Sequence, residues 1–239
     1  MAKRRKQYQT AEIFDLLPSH KTPTNLINLK PRNELQKRYL HYLSNPVINM
    51  VFATGPAGTG KTLLAVTQGV KEFRARSFDK IVITRPAVSV DEQHGFLPGT
   101  INDKMEPWMR PITDIMLEYM SQQQLEYFIK KQKIEIVPLA YMRGRTFHYS
   151  WVIADEMQNA TAEQTKMLLT RFGTGSKFII TGDLKQFDRG YSKNGLADFI
   201  SRYSSQSDEI SQIEHIQFTT NDIERHPVVK DILQIYQEL

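Results

Sequence analysis

The chain has 239 residues, of which 40% are hydrophobic and 24% are charged. This composition is typical of a globular protein and excludes a collagen-like, wholly disordered or membrane-spanning chain. Cysteine is absent, so neither a disulfide framework nor a cysteine-ligated metal can form. The formal charge is +5, but residues 3–6 supply four of the basic groups and the rest of the chain holds 27 basic and 26 acidic residues. An anionic partner must therefore be met by a local patch or by the N-terminal tail.

The N-terminal residues 1–32 combine the basic cluster with three prolines and show no sustained periodicity. This pattern predicts a basic arm ahead of a single domain at residues 33–239. The cluster is interpreted either as a disordered solubilising tail or as a non-specific phosphate-binding arm. The apolar stretch of a signal peptide does not follow it, and no apolar run approaches the length of a membrane span. We therefore expect a cytoplasmic protein that does not bind a membrane.

Short apolar runs alternate with helical patterns along the rest of the chain. Strands are expected at 47–54, 80–84, 134–139, 150–154, 177–181 and 213–219, and helices at 33–45, 62–76, 161–172, 194–203 and 227–239. Continuous apolar strands are typical of a parallel sheet that is buried on both faces. Prolines between residues 86 and 132 predict kinked helices over one edge of the active face. The alternation predicts an α/β fold with a doubly wound, mostly parallel sheet and helices on both faces.

The segment 55–62, GPAGTGKT, fits the phosphate-binding pattern GxxxxGK[ST] and lies between a predicted strand and a predicted helix. We call it the P-loop. Its glycines let backbone N–H groups surround phosphate oxygens at a helix N-terminus. Lys61 is expected to reach the β- and γ-phosphates and the Thr62 hydroxyl to ligate Mg²⁺, so the pattern predicts ATP and Mg²⁺ as cofactors. The predicted nucleotide-binding residues of the loop are Gly55, Pro56, Ala57, Gly58, Thr59, Gly60, Lys61 and Thr62.

Carboxylates follow two further predicted strands. Asp155 comes at the end of one strand and is placed to hold Mg²⁺, while Glu156 is placed to deprotonate the attacking water. The next strand delivers Asp183 and Gln186 to the same edge of the sheet, where ligands of such folds bind. A base directed at water favours hydrolysis over transfer to an acceptor.

Together these motifs resemble the PhoH-like family of P-loop ATPases, whose core is similar to the RecA-like motor domain of superfamily 1 helicases. The matching segments, in family order, are GPAGTGKT (55–62), TRPAV (84–88), GFLPG (95–99), PLAYMRGRTF (138–147), VIADEMQN (152–159), TGDLKQFD (181–188) and RHPVV (225–229). The resemblance implies that Gln158 and Gln186 sense the γ-phosphate and that Arg225 stabilises charge. Gln36 is similar to the adenine-reading glutamine of superfamily 1 helicases, the alternative being a simply exposed side chain.

Two arginines define a candidate contact surface. Arg143 and Arg145 lie in YMRGRTF at 141–147, where they alternate with aromatic and apolar residues. Single-stranded nucleic acid binding uses this mixture for phosphate contact and base stacking. The same segment is also compatible with a subunit contact or with a solvated loop.

The leading hypothesis is an ATPase that acts on RNA or single-stranded nucleic acid, with RNA favoured by the family resemblance. Superfamily 1 helicases use two cores in one chain and only one fits here, so we expect a homo-oligomeric ring, a hexamer, with nucleotide sites between subunits. Arg225 is then expected to act across the boundary, or else to pair locally at the start of its helix. The alternatives are a nucleotide-gated adaptor that recruits a partner such as a nuclease, and a kinase, which Glu156 disfavours.

Overall fold

The computed structural model describes residues 27–86, 110–185, 194–206 and 210–224, together with Val228, Val229 and Ile235. The strands are β1 Met50–Thr54, β2 Lys80–Arg85, β3 Ile134–Pro138, β4 Ser150–Ala154, β5 Lys177–Gly182 and β6 Ile213–Gln217. The α-helices with defined bounds are α1 Glu34–Ser44, α2 Lys61–Arg74, α3 Gln122–Lys130, α4 Ala162–Leu169 and α5 Gly195–Ser204. The six strands predicted from the apolar runs are confirmed.

All six strands are parallel and form one sheet in the order β3-β2-β4-β5-β1-β6. This is the predicted α/β architecture of a P-loop fold. Strand β5 pairs with β1 on one side and with β4 on the other, so the carboxyl ends of these three strands are adjacent. The loops that follow them therefore meet at one edge of the sheet.

The core lies on both faces of the sheet, because alternate residues of each strand point to opposite sides. One face packs against α1, α2 and α3, and the other against α4 and α5. Trp151 is the largest fully buried side chain among the described residues, and its indole N–H donates to the Ala65 carbonyl of α2 at 3.1 Å. A Cβ added at Gly69 would lie 2.5 Å from the Trp151 ring nitrogen. Gly69 thus lets α2 pass close to the tryptophan that anchors β4.

Helix α1 ends against the buried side chain of Lys177, the first residue of β5. The Lys177 ammonium donates to the carbonyl oxygens of Tyr42 and Asn45, each at 2.7 Å. Carbonyls at the end of a helix lack partners within the helix, so this contact gives the Tyr42 carbonyl a donor. It adds a second donor to the Asn45 carbonyl, which also accepts from the Ile48 N–H at 3.3 Å. Burial lowers the pKa of Lys177 from 10.5 to about 8, against the opposing charge of Glu72.

This lowered pKa predicts a rise in stability at alkaline pH. Between about pH 8 and pH 10.5 the unfolded chain holds the Lys177 proton more strongly than the folded one. Raising the pH through this window should favour the folded state by up to about 1.4 kcal/mol per pH unit. Urea denaturation measures the unfolding free energy of the parent protein and of Lys177→Met. The value for the parent minus the value for Lys177→Met should therefore increase with pH. A difference that is constant with pH would contradict the lowered pKa.

The structure differs in detail from some sequence predictions, and other predictions concern residues outside the described ranges. The sequence predicts that Leu139 continues β3, but this residue begins a short 3-10 helix, Leu139–Met142. In the proline-rich stretch, residues 110–117 and α3 are helical, while residues 87–109 lie outside the described residues, so the predicted kinks stay a prediction. Of the predicted C-terminal helix, the described residues Val228, Val229 and Ile235 are helical. Most of the predicted N-terminal arm lies outside the described residues. Within the described part of the chain, no helix combines the length and apolar character that crossing a bilayer requires.

Candidate nucleotide site

The P-loop connects β1 to α2 with a backbone that needs glycine. Gly55, Gly58 and Gly60 have φ angles of 132°, 85° and 87°, which glycine adopts at no steric cost. Gly55 also packs closely, because a Cβ added there would lie 2.4 Å from the carbonyl oxygen of Phe218. Helix α2 begins at Lys61, so the free N–H groups of its first turn adjoin the loop. The loop and the positive end of the helix dipole form a site suited to an anion.

Lys61 folds back over this loop. Its ammonium donates to the carbonyl oxygens of Gly55 at 2.6 Å and Pro56 at 2.7 Å, and to the Thr59 hydroxyl at 3.3 Å. Burial lowers the pKa of Lys61, while the carboxylates of Asp183, Glu156 and Asp155 act in the opposite direction. The ammonium therefore lies among loop carbonyls and near acidic groups. A phosphate oxygen that binds Lys61 would have to replace the loop oxygens as its hydrogen-bond acceptors.

Asp155 is buried at the end of β4 and accepts hydrogen bonds on both carboxylate oxygens. Its Oδ1 accepts from the Thr62 hydroxyl at 2.8 Å and from the Thr181 hydroxyl. Its Oδ2 accepts from Nε of Arg85 at 2.9 Å and from a terminal nitrogen of the same guanidinium. A hydroxyl and a carboxylate are oxygen donors of the kind that Mg²⁺ prefers, so the Thr62–Asp155 pair fits this ion. Among the described residues, no group of three or more His, Cys, Asp or Glu side chains is arranged to hold a metal ion.

Glu156 follows Asp155 in a strained conformation beside the loop. Its φ of 56° lies in the left-handed region, which is uncommon for residues other than glycine and recurs at functional sites. The Gln158 amide donates to Glu156 Oε2 at 2.6 Å, and the Gln158 carbonyl oxygen accepts from the Asp183 backbone N–H at 3.1 Å. Gln158 therefore links the loop after β4 to the loop after β5 and orients the Glu156 carboxylate. Both ends of its buried amide are already engaged by protein.

A cleft of about 520 Å³ lies over the P-loop. Gln36 lines it and is only 4% exposed, so the alternative of a simply exposed glutamine is wrong. Its side-chain N–H donates to the Thr59 carbonyl at 3.1 Å, and its side-chain oxygen accepts from the backbone N–H of Arg32 at 2.9 Å. These two bonds leave one N–H and one acceptor position on the Gln36 side chain.

Three charged residues that lie outside the sequence motifs also line the cleft: Lys30, Arg32 and Glu224. Lys30 and Arg32 belong to the segment predicted as an arm. The Glu224 N–H donates to the Gly58 carbonyl at 3.0 Å and so joins the chain after β6 to the P-loop. The one sequence signal for Glu224 is its position directly before the RHPVV segment.

The family model described as PhoH-like protein matches residues 28–237. This chain belongs to the PhoH-like family. It is 40% identical over 209 residues to a PhoH-like protein of Mycobacterium tuberculosis, an alignment that covers 87% of this chain and 58% of the relative. It is 45% identical over 192 residues to a PhoH-like protein of Bacillus subtilis, covering 80% of this chain and 59% of the relative.

Protein PhoH of Escherichia coli is 38% identical over 209 residues, covering 86% of this chain and 57% of that protein. The chain thus spans somewhat under three fifths of the length of these PhoH-like relatives. Among solved structures, the Pif1 helicase from Candida albicans matches with a TM-score of 0.41 and 15% identity, covering 87% of this chain and 44% of that chain.

Two predicted site residues of this PhoH-like chain, Gln186 and Arg225, lie outside the described residues. Their roles stay predictions. The loop that leads to Gln186 begins in an ordered turn, because the Lys185 N–H donates to the Asp183 carboxylate at 2.9 Å.

The YMRGRTF segment of the PhoH-like chain divides into a surface part and a packed part. Arg143 is exposed and Tyr141 is 54% exposed, whereas Phe147 is buried. Arg145 lies over the Phe147 ring at 4.7 Å and bonds Glu135 at 2.5 Å. Burial alone would raise the pKa of Glu135, but its hydrogen bonds and ion pairs, including that with Arg145, lower it. The two arginines predicted to bind nucleic acid therefore differ in availability to a partner. Arg143 extends into solvent, whereas an ion pair holds Arg145 against the protein.

Proposed function

We propose that this PhoH-like protein binds ATP with Mg²⁺ and hydrolyses it. The observation that carries the proposal is one cleft in which Lys61, the Thr62–Asp155 pair and the strained Glu156 converge over a glycine loop. Lys61 would exchange its loop carbonyls for oxygens of the β- and γ-phosphates. Thr62 and Asp155 would hold Mg²⁺, which neutralises phosphate charge when bound.

Glu156 is proposed as the base that takes a proton from the attacking water. The Gln158 hydrogen bond occupies Oε2, which leaves Oε1 to accept that proton. Because Gln158 also bonds the backbone of Asp183, a change in the loop after β5 would move the base. In this proposal Gln158 responds to the γ-phosphate through Glu156 and Asp183 rather than by direct contact.

Gln36 is proposed to read adenine. The remaining N–H and the remaining acceptor position of its amide match the N7 acceptor and the N6 donor of that base. The bonds to Thr59 and Arg32 fix the amide plane before the nucleotide arrives. Pre-organisation of this kind favours ATP over GTP, which presents an acceptor where adenine has its donor.

We also propose that RNA or single-stranded nucleic acid is the partner on which hydrolysis acts, in a homo-oligomeric ring. The support is the exposed pair of Arg143 and Tyr141, which follows the carboxyl end of β3 at the sheet edge that carries the cleft. Single-stranded nucleic acid sites combine basic side chains that contact phosphates with aromatic side chains on which bases stack.

ATPase assays with RNA, single-stranded DNA, duplex or no nucleic acid test this function, with the oligomer measured by light scattering. Stimulation by a single strand supports the proposal. Hydrolysis without stimulation would instead favour the nucleotide-gated adaptor, and a phosphorylated acceptor would favour a kinase. Absence of hydrolysis under all conditions would contradict the ATPase itself.

Replacing Arg143 with alanine should weaken binding of labelled single-stranded RNA and make it less dependent on salt. Removing one phosphate interaction reduces the slope of log K against log salt by about 0.7 for a single strand. Arg145→Ala should change the slope less, because Glu135 already engages its guanidinium. Fluorescence anisotropy at several salt concentrations measures both slopes, and Arg202→Ala, on the exposed end of α5, is the matched control. Unchanged RNA binding together with a broken oligomer would favour the subunit-contact alternative.

A further inference from the structure

Arg85 forms an ion pair with the carboxylate of Asp155, on which the proposed metal site depends. Two of its nitrogens bond Oδ2 of Asp155, while Thr62 and Thr181 bond Oδ1. Asp155 is 1% exposed, so it has little contact with water. Its negative charge is therefore balanced by a guanidinium and not by solvent.

The Arg85–Asp155 pair is built into the sheet rather than formed on a mobile surface. Arg85 is the last residue of β2, and β2 pairs with β4 up to Thr84 and Ala154. The Asp155 N–H donates to the Thr84 carbonyl at 2.9 Å, which keeps the two strand ends together. The Arg85 side chain is 17% exposed. The paired ends of β2 and β4 thus direct the guanidinium to the carboxylate.

The charges that the described residues place around the cleft balance one another when Arg85 is counted. Four cationic side chains stand against four acidic ones: Lys30, Arg32, Lys61 and Arg85 against Asp155, Glu156, Asp183 and Glu224. A divalent cation that approaches Asp155 without a nucleotide meets no net negative charge from this set. It also meets the guanidinium at contact distance from its ligand, where Coulomb repulsion is strong. A nucleoside triphosphate adds about four negative charges and reverses this balance.

We propose that Arg85 is a resident counter-cation of Asp155, which keeps divalent metal out of the cleft until a nucleotide supplies its own negative charge. This inference rests on the proposed nucleotide function. Arg85 acts as a positioning residue: it holds the carboxylate in place while the metal is absent and makes metal binding conditional on the nucleotide. Metal and nucleotide then enter together.

Binding of Mn²⁺ to nucleotide-free protein, followed by electron paramagnetic resonance, tests the inference without any hydrolysis. Arg85→Gln removes the charge and should bind Mn²⁺ alone at least about tenfold more tightly than the parent protein. Arg85→Lys keeps the charge and should stay within about threefold of the parent. Arg202→Gln removes an arginine from the exposed Asp198 pair and is the matched control. Equal Mn²⁺ affinity in the parent and Arg85→Gln would overturn the inference.

Thermal melting of the same proteins separates this role from a purely structural one. Arg85→Gln leaves a buried carboxylate uncompensated, so its melting temperature should fall in EDTA. Mn²⁺ alone should restore it in Arg85→Gln, with no comparable rise in the parent or in the double variant Arg85→Gln/Asp155→Asn. If Arg85→Gln stays unfolded with Mn²⁺ present, Arg85 is structural and the inference is wrong.

Nucleotide binding is measured in parallel with a fluorescent ATP analogue. If the parent protein does not bind the analogue, the proposed function fails whatever the Arg85 variants do. If the analogue binds with Mn²⁺ but Arg85→Gln has the metal affinity of the parent, only the inference fails.

Discussion

The Glu156→Gln variant is expected to bind ATP as tightly as the parent protein and to hydrolyse it at least about 10²-fold more slowly. Glutamine has the size of glutamate and can keep the contact with Gln158, which is 2.6 Å in the parent protein. It cannot accept a proton from water. The substitution therefore removes the proposed chemistry and preserves the geometry of the loop after β4.

Two measurements on Glu156→Gln are needed: steady-state release of phosphate and equilibrium binding of a fluorescent ATP analogue. Glu163→Gln is the matched control, because Glu163 is exposed in the first turn of α4. Parent-like turnover in Glu156→Gln would remove Glu156 from the mechanism. A loss of binding equal to the loss of turnover would instead assign it to nucleotide binding.

The Lys61→Ala variant should lose both binding and turnover, in contrast to Glu156→Gln. Two charge-assisted hydrogen bonds to phosphate, each worth about 1.5–3 kcal/mol, predict nucleotide affinity lower by about 10²-fold or more. The reason is also electrostatic. Lys61 is the ammonium that the carboxylates of Asp183, Glu156 and Asp155 surround, and without it they would repel the phosphates.

Titration of Lys61→Ala with the fluorescent analogue measures this effect, and urea denaturation shows whether the chain still folds. The control is Lys71→Ala, which removes an exposed lysine from the same helix, α2. Parent-like affinity in a folded Lys61→Ala protein would contradict the assignment of the phosphate site to the P-loop.

The sequence predicted the strands and the P-loop well because both are local. A strand buried on both faces needs a continuous apolar run, and β1, β4 and β5 each have one. A phosphate-binding loop uses consecutive backbone groups, so its glycines and Lys61 must be neighbours in the sequence. Position after a strand also placed Asp155 and Asp183 at the edge of the sheet that carries the cleft.

The partners of the site residues were not predictable, because they come from elements far apart in the chain. Arg85 precedes Asp155 by 70 positions and Gln36 precedes Thr59 by 23, and neither pairing leaves a local pattern. The basic and aromatic composition of YMRGRTF likewise did not reveal that Arg145 is held by Glu135 on β3.

The sequence alone determined that this PhoH-like chain has a parallel sheet and a P-loop, since both depend on residues close together in order. Only the tertiary structure decided what each charge of the site faces. The strand order sets β2 beside β4, which brings the Arg85 guanidinium to the Asp155 carboxylate. A buried charge takes its properties from the groups within a few ångströms of it, and in a sheet of parallel strands those groups arrive from distant segments.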